Sequence, residues 1–387
     1  MKILLITDNF LPHIGGSRIY YYNLCKTLPR GSIAVLTKKI PGYKEFDKCQ
    51  NFKIYRINFW LLPWKWSRIY ELPVYFSLFI YGIFVVLKEK VDIIHCGESL
   101  PTGLVGFFLS KLLGKPYIVY TWAEQVTIIS RLRTEAKFLR FVLKNADKVI
   151  ATASFVERSV KQLGVDPKKI VKILQAVDSE FLEDKQVDVK GLKQAFGIEG
   201  KKVLLTATRL IKRKGVDKVI EALAEVIKKV PNIIYLIAGE GPEENTLKKI
   251  VESKNLDMYM RFFGKVSHIE MPLYYNICDL FILPNLQLSD GDTDGLATVF
   301  IEANAFGKPV IGGKAGGTED AIIDGMTGLI VDGNNVNEIA KGIINLLTNE
   351  DYAKRLGEAG KQRVRNEFRL EDRANEIYAI SKGMLIP

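Results

Sequence analysis

Short apolar runs alternate with amphipathic stretches along the whole chain. In the first half, Ile3–Thr7, Ile33–Thr37, Ile54–Asn58, Ile93–His95, Tyr117–Thr121 and Lys148–Ala151 are the apolar-rich runs. Runs of this length predict short strands. Ser17–Leu28, Thr102–Leu113 and Glu135–Asn145 lie between several of them with helical spacing. Strand and helix in alternation predict a doubly wound parallel sheet.

The second half repeats the pattern. Val203–Ala207, Tyr235–Ala238, Leu280–Leu283, Pro309–Gly312 and Gly328–Val331 read as strands, and Val216–Lys229 as a helix that stops before Pro231. A chain of 387 residues is too long for one ordinary core. Two α/β, Rossmann-like domains are therefore expected, residues 1–180 and 181–367. Gln175–Val189, charged and without periodicity, is the expected linker.

One stretch bears on membranes. Leu72–Leu87 has 16 residues and no charge, short of the roughly 20 apolar residues a spanning helix needs. The expectation is a buried helix of the first domain. Just before it, Phe59–Arg68 mixes tryptophan with lysine and arginine. Contact with a bilayer or a lipid acceptor and ordinary packing both stay open for that segment.

Charge is uneven along the chain. Residues 1–170 hold 26 Lys and Arg against 12 Asp and Glu, a net of +14, whereas the whole chain is +11. A basic half attracts anionic membrane, nucleic acid or an acidic substrate, although a surface of solvated lysines explains it equally well. No helix-turn-helix or RNA-binding signature accompanies it, so nucleic acid is not an expected partner. Peripheral membrane contact through this basic half is the expectation instead. Cys25, Cys49, Cys96 and Cys278 lack metal-ligand spacing and suit a reducing compartment. The chain opens on a strand-like run rather than a signal peptide. A cytoplasmic protein, associated with the inner face of the membrane, is expected.

Four segments carry candidate chemistry. Pro12-His13-Ile14-Gly15-Gly16-Ser17 joins the first strand to the first helix. Paired glycines there let a phosphate or sugar approach the backbone, or simply make a tight turn. No dinucleotide fingerprint is present, which excludes a dehydrogenase. Arg209-Leu210-Ile211-Lys212-Arg213-Lys214-Gly215 follows the first strand of the second half. Its four cations sit where doubly wound sheets bind ligands and suit a diphosphate.

Asp294-Gly295-Leu296-Ala297-Thr298-Val299-Phe300-Ile301-Glu302 is expected to open a helix. Its free N–H groups suit phosphate, and its two carboxylates suit sugar hydroxyls. Asp290, Asp292 and Asp294 imitate a calcium loop, but the glutamate due at the twelfth position is Ile301, with Glu302 one place late. Gly312-Gly313-Lys314-Ala315-Gly316-Gly317-Thr318-Glu319 lines the same site or forms a plain glycine-rich turn.

In order and spacing these segments resemble the retaining family 4 glycosyltransferases of the GT-B fold. The likeness runs from Gly15-Gly16 through Asp92-Ile93-Ile94-His95 and Arg209–Lys214 to Asp294–Glu302, and on to Gly325–Val331. The resemblance implies two Rossmann-like domains facing across a cleft, the acceptor mainly in the first and the nucleotide sugar mainly in the second. It implies a last helix, within about 368–387, that crosses back to the first domain.

Transfer of a hexose-type sugar from a nucleoside diphosphate sugar (UDP or GDP) to an acceptor hydroxyl, as on a lipid-linked or cell-envelope glycan, is the implied reaction. No cofactor or metal is implied. By resemblance Arg209, Lys214 and Asp294 are catalytic, the first two on the diphosphate and Asp294 on the transferred sugar. Donor contacts fall to Gly15, Gly16, Gly295, Leu296, Ala297 and Thr298, with Glu302 on the ribose. His13, Trp122 and Glu124 are the acceptor-pocket candidates.

Three positions depart from the family pattern. Asp294 replaces a glutamate and withdraws its carboxylate by about 1.5 Å. Trp122 stands where a histidine is usual, and Gln125 where an acid often follows. An active enzyme is still expected, because charge stabilisation of the leaving phosphate is usually the larger contribution and a departing phosphate oxygen can take the acceptor proton. The alternative is a catalytically altered GT-B protein that binds a nucleotide sugar without transferring it.

Overall fold

The computed structural model describes residues 1–8, 10–13, 15–58, 72–183 and 187–385, the side chain of Leu72 excepted. The tryptophan-rich segment Phe59–Arg68 lies outside the described residues. The chain divides into two compact units, Met1–Ala176 with Leu370–Pro387, and Val177–Arg369.

The first unit is a parallel sheet of seven strands in the order β3-β2-β1-β4-β5-β6-β7. These are β1 Ile3–Ile6, β2 Ile33–Lys38, β3 Lys53–Ile57, β4 Ile93–Cys96, β5 Tyr117–Thr121, β6 Lys148–Ala151 and β7 Ile170–Lys172. β1 and β4 lie side by side, so the winding reverses between them, and ligands of open α/β sheets collect beyond the carboxyl ends of such a pair. Ile3, Leu4, Leu5 and Ile6 are buried on both faces, which explains why β1 shows no alternation.

The final helix, Leu370–Gly383, packs on helix Gly16–Thr27 of this same unit. A buried polar trio helps to seat it. The Ser381 hydroxyl donates to the Ile377 carbonyl at 2.7 Å, so its oxygen must accept from His95 Nε2, 3.0 Å away. His95 Nδ1 then accepts from the Tyr120 hydroxyl at 3.2 Å. Every polar atom of the trio is satisfied with a neutral imidazole, and burial pushes the His95 pKa down to about 3.

The second unit holds six parallel strands in the order β10-β9-β8-β11-β12-β13. These are β8 Lys202–Ala207, β9 Ile233–Ala238, β10 Met260–Gly264, β11 Leu280–Leu283, β12 Val310–Gly313 and β13 Leu329–Val331. Helix Val216–Lys229 buries Val216, Val219, Ile220, Leu223 and Val226 on one stripe. Asp217 in its first turn and Lys228 and Lys229 in its last complement its dipole.

The boundary between the units and two departures from the sequence expectation each have a physical cause. The chain enters the second unit at Val177, inside the expected linker, because Phe181 is buried there against His268, Tyr275 and Phe306. A single anchoring ring leaves no periodic signal. The strands that pattern reading misses, β7 and β10, each lie at a sheet edge, β7 only three residues long and β10 only partly buried. Helix Leu72–Glu89 is not fully buried: Phe76, Ile80, Phe84 and Leu87 form an exposed stripe opposite Val74, Leu78, Val85 and Val86. Among the described residues no helix is long and apolar enough to cross a membrane.

Candidate active site

In the second unit β8 and β11 are neighbours, so the loops after them meet although about eighty residues separate them in sequence. Lys214 ends the first loop. Its Nζ lies 2.8 Å from Asp294 Oδ1 and 2.9 Å from Oδ2. Arg213 donates from Nε to Asp294 Oδ1 at 3.1 Å and from a terminal nitrogen to Asp292 Oδ2 at 2.9 Å. Asp294 is buried. Burial alone would raise its pKa, but Lys214 and Arg213 outweigh it and hold the carboxyl below its ordinary value. For Arg213 burial works against the charge, and Asp294 and Asp292 more than restore it.

The cations of this loop do not all turn the same way. Arg209 is exposed, and the guanidinium on Asp294 is that of Arg213. The signal for Arg213 was the density of cations in the loop, which could not say which of them turns inward. Gly215 sets that geometry. Its φ is +64°, and a Cβ there would strike the Pro284 carbonyl at the end of β11.

The helix expected from Asp294 begins later, at Thr298, with Ala297 as an N-cap that makes no side-chain hydrogen bond. Asp294–Leu296 form a turn instead, and the glycine-rich segment packs behind it. The Gly317 N–H donates to the Gly295 carbonyl at 2.7 Å, and a Cβ on Gly316 would collide with the Asp294 carbonyl. Asn285 fixes the segment, accepting from Gly313 N at 3.1 Å and donating to the Ala315 carbonyl at 3.2 Å. The Gly312–Glu319 segment is thus a buttress for the turn that holds Asp294.

Glu302 lies on the first turns of helix Thr298–Ala305. Its Oε1 accepts from the Thr298 hydroxyl at 3.0 Å, and its Oε2 from the Tyr275 hydroxyl at 2.8 Å. Burial, and then the Glu302 charge, keep the Tyr275 phenol protonated as a donor. Each carboxylate oxygen retains a lone pair for a further donor, such as a ribose hydroxyl. Gly295, Leu296, Ala297 and Thr298 line the approach to this helix start, where N–H groups of the first turn lack intrahelical acceptors.

The remaining candidates lie in the first unit. His13, exposed, and Gly15, half-buried, lie in the loop after β1, and Gly16, exposed, opens helix Gly16–Thr27. Trp122 and Glu124 follow β5, with Glu124 exposed. Trp122 is half-buried and less available than a bare pocket wall. Its indole N–H is shared between the Gly97 carbonyl at 2.9 Å and the Tyr21 hydroxyl at 2.8 Å, and its ring stands edge-on to Tyr20 and Tyr21. Gln125, in place of an acid, accepts from Ser99 N at 3.1 Å and from the Ser99 hydroxyl at 2.8 Å.

Sequence reasoning passed over Glu98, just beyond β4. It is buried and accepts from the Thr7 hydroxyl at 2.6 Å, the Asp8 N–H at 3.3 Å and the Thr102 hydroxyl at 3.2 Å. Burial, and then the charge of Asp8, push its carboxyl well above the ordinary range. The signal was an acid directly after an apolar strand, in Cys96-Gly97-Glu98.

A winding reversal beside paired cations, carboxylates and an uncapped helix start defines a sugar-and-phosphate enzyme of the GT-B class. Residues 14–181 match the family described as Glycosyltransferase Family 4, and residues 188–363 match Glycosyl transferases group 1. The chain belongs to glycosyltransferase family 4 and is a nucleotide-sugar glycosyltransferase.

Among its relatives is the GDP-mannose-dependent alpha-(1-6)-phosphatidylinositol monomannoside mannosyltransferase of Mycolicibacterium smegmatis, 24% identical and covering 98% of each chain. Another is the alpha-monoglucosyldiacylglycerol synthase of Acholeplasma laidlawii, 26% identical over 98% of this chain and 95% of that one. The crystal structure of Anabaena HepE in complex with UDP shares the fold with a TM-score of 0.82 at 18% identity, covering 99% of this chain and 100% of that one.

Proposed function

We propose that the protein transfers a hexose-type sugar from a nucleoside diphosphate sugar to a hydroxyl of a lipid-linked or cell-envelope acceptor. The anomeric configuration is kept, and no metal takes part. The observation that carries this reading is the cluster of Lys214, Arg213 and Asp294 beside the start of helix Thr298–Ala305. Asp292 and Asp294 balance Arg213 and Lys214 in charge, so a diphosphate needs further cations. Arg209 and Lys212, exposed on the same loop, supply them. Lys214 then divides its donors between Asp294 and the phosphate.

In this reading Asp294 orients a sugar hydroxyl, Glu302 holds the ribose, and the helix start and cations stabilise the departing phosphate. That phosphate takes the acceptor proton, so Trp122 need not. Relatives named for a phosphatidylinositol mannoside and a diacylglycerol acceptor support a lipid acceptor.

The test is release of nucleoside diphosphate over a panel of nucleotide sugars and lipid acceptors, with and without EDTA, and the anomeric coupling of the product read by NMR. Retained turnover in EDTA with an unchanged anomer is expected. An inverted product or turnover abolished by EDTA refutes the corresponding part. Tight nucleotide binding without turnover on every acceptor refutes transfer itself.

A further inference from the structure

We propose that three helices of the first unit, Leu72–Glu89, Thr102–Leu113 and Arg133–Asn145, form a docking face for a bilayer with anionic headgroups. This extends the lipid-acceptor reading but stands on surface chemistry, independent of the transfer reaction.

Helix Leu72–Glu89 is apolar on both sides. Val74, Leu78, Val85 and Val86 face the core, while Phe76 is 67%, Phe84 49% and Leu87 65% exposed. A helix apolar all round normally buries both faces, and among the described residues the outer stripe stays exposed. The patch crosses to the neighbouring helices through ring contacts. Phe79 meets Phe108 at 6.4 Å, and Phe107 meets Phe141 at 4.7 Å. Phe108 and Leu112 on the second helix, and Phe138 and Phe141 on the third, extend the exposed apolar surface.

Cations border it at helical spacing. Arg133, Lys137, Arg140 and Lys144 form one exposed stripe beside Phe138 and Phe141. Lys88 lies 5.1 Å from the Phe84 ring centre, and Lys111 5.9 Å from that of Phe107. The only acids on the three helices are turned away from this surface: Glu135 is buried, and Glu89 is ion-paired with Lys53 and Lys2.

Exposed aromatic and aliphatic side chains edged by Lys and Arg fit the boundary between headgroups and acyl chains. A second copy of this chain fits poorly. A two-fold contact through this face brings two cation-edged, acid-poor surfaces together, like charge against like. Anionic lipid removes that repulsion and attracts each of them.

The experiment is co-sedimentation of the full chain, without donor, with vesicles of phosphatidylglycerol and phosphatidylcholine or of phosphatidylcholine alone. Two variants accompany it: F84S/L87S, which changes exposed apolar positions, and K137Q/R140Q/K144Q. Unfolding midpoints should match the parent, since all five side chains are exposed. The parent should pellet with the anionic vesicles and much less with the zwitterionic ones.

The triple charge variant should lose about a hundredfold in partitioning, at roughly fivefold per cation. The apolar variant should release fully on raising salt, where the parent is partly retained. A parent that stays in the supernatant, or variants that pellet like it, overturns the proposal. So does a concentration-dependent dimer broken by F84S/L87S without vesicle binding, which assigns the face to a second copy. Transfer to a soluble acceptor, measured separately, shows whether the transfer reading fails on its own.

Discussion

Lys214 Nζ sits 2.8 and 2.9 Å from the two carboxylate oxygens of Asp294, joining the loops after β8 and β11 in one ion pair. The pair links the cation assigned to the leaving phosphate with the carboxylate assigned to the sugar. Replacing Lys214 with alanine should lower kcat by about a hundredfold or more, the usual effect of losing one charge-stabilising donor. Steady-state release of nucleoside diphosphate measures it, and unchanged turnover removes Lys214 from the mechanism. Asp294→Asn should also slow turnover while leaving nucleoside diphosphate affinity nearly unchanged.

Glu302 should act on binding. Glu302→Gln keeps the shape but takes away a charged acceptor, whose hydrogen bonds contribute about 1.5–3 kcal/mol each. The Kd for a nucleoside diphosphate should rise about tenfold or more by calorimetry. Tyr275→Phe, which frees Glu302 Oε2, should have a smaller effect in the same direction.

Acid should loosen the first unit through His95. In the folded chain His95 stays neutral down to about pH 3, whereas unfolded it protonates near 6.5. The unfolded state therefore binds more protons below pH 6.5, so stability falls as pH drops, by at most about 1.4 kcal/mol per pH unit from this residue. Unfolding followed against pH should show a shallower acid slope in His95→Gln. An identical slope excludes His95 as its source.

Glu98 acts at the other end of the scale. Its folded pKa is raised, so above the ordinary carboxylate range the folded chain holds a proton that the unfolded chain has lost. Stability from this group is full below its unfolded pKa and is lost as pH rises toward the folded one. Glu98→Gln should flatten that decline in unfolding midpoint as pH rises above the ordinary carboxylate range.

Gly215→Ala should destabilise the second unit. The residue has φ +64°, and its Cβ would meet the Pro284 carbonyl. The left-handed conformation alone costs about 1–2 kcal/mol without glycine. A unit of this size should lose roughly 2–4 °C in Tm per kcal/mol, and donor affinity should fall with it because Lys214 is the preceding residue. An unchanged melting profile contradicts the steric argument.

Most of the sheet was legible in the chain. Strands such as Ile3–Ile6 and Leu280–Leu283 are buried on both faces, and such runs leave a continuous apolar trace. The cation-rich loop, the Asp294–Glu302 spacing and the β/α order are local features, and they sufficed for the family. Edge strands β7 and β10, the anchor Phe181 and the exposed stripe of helix Leu72–Glu89 were not legible. Each depends on what packs opposite, which a periodic pattern does not record.

By itself, then, the sequence determined the two parallel sheets and the loops that carry chemistry, because hydrophobic period and glycine placement act over a few residues. The tertiary structure alone decided that Arg213 rather than Arg209 reaches Asp294, and that the Gly312–Glu319 segment braces its turn. It also decided that Trp122 gives its indole N–H to Gly97 and Tyr21, and that Glu98 is buried against Thr7. Those outcomes follow from strand order: β8 beside β11, β1 beside β4, and β4 beside β5. Only the folded sheet brings loops so distant in sequence within hydrogen-bonding reach.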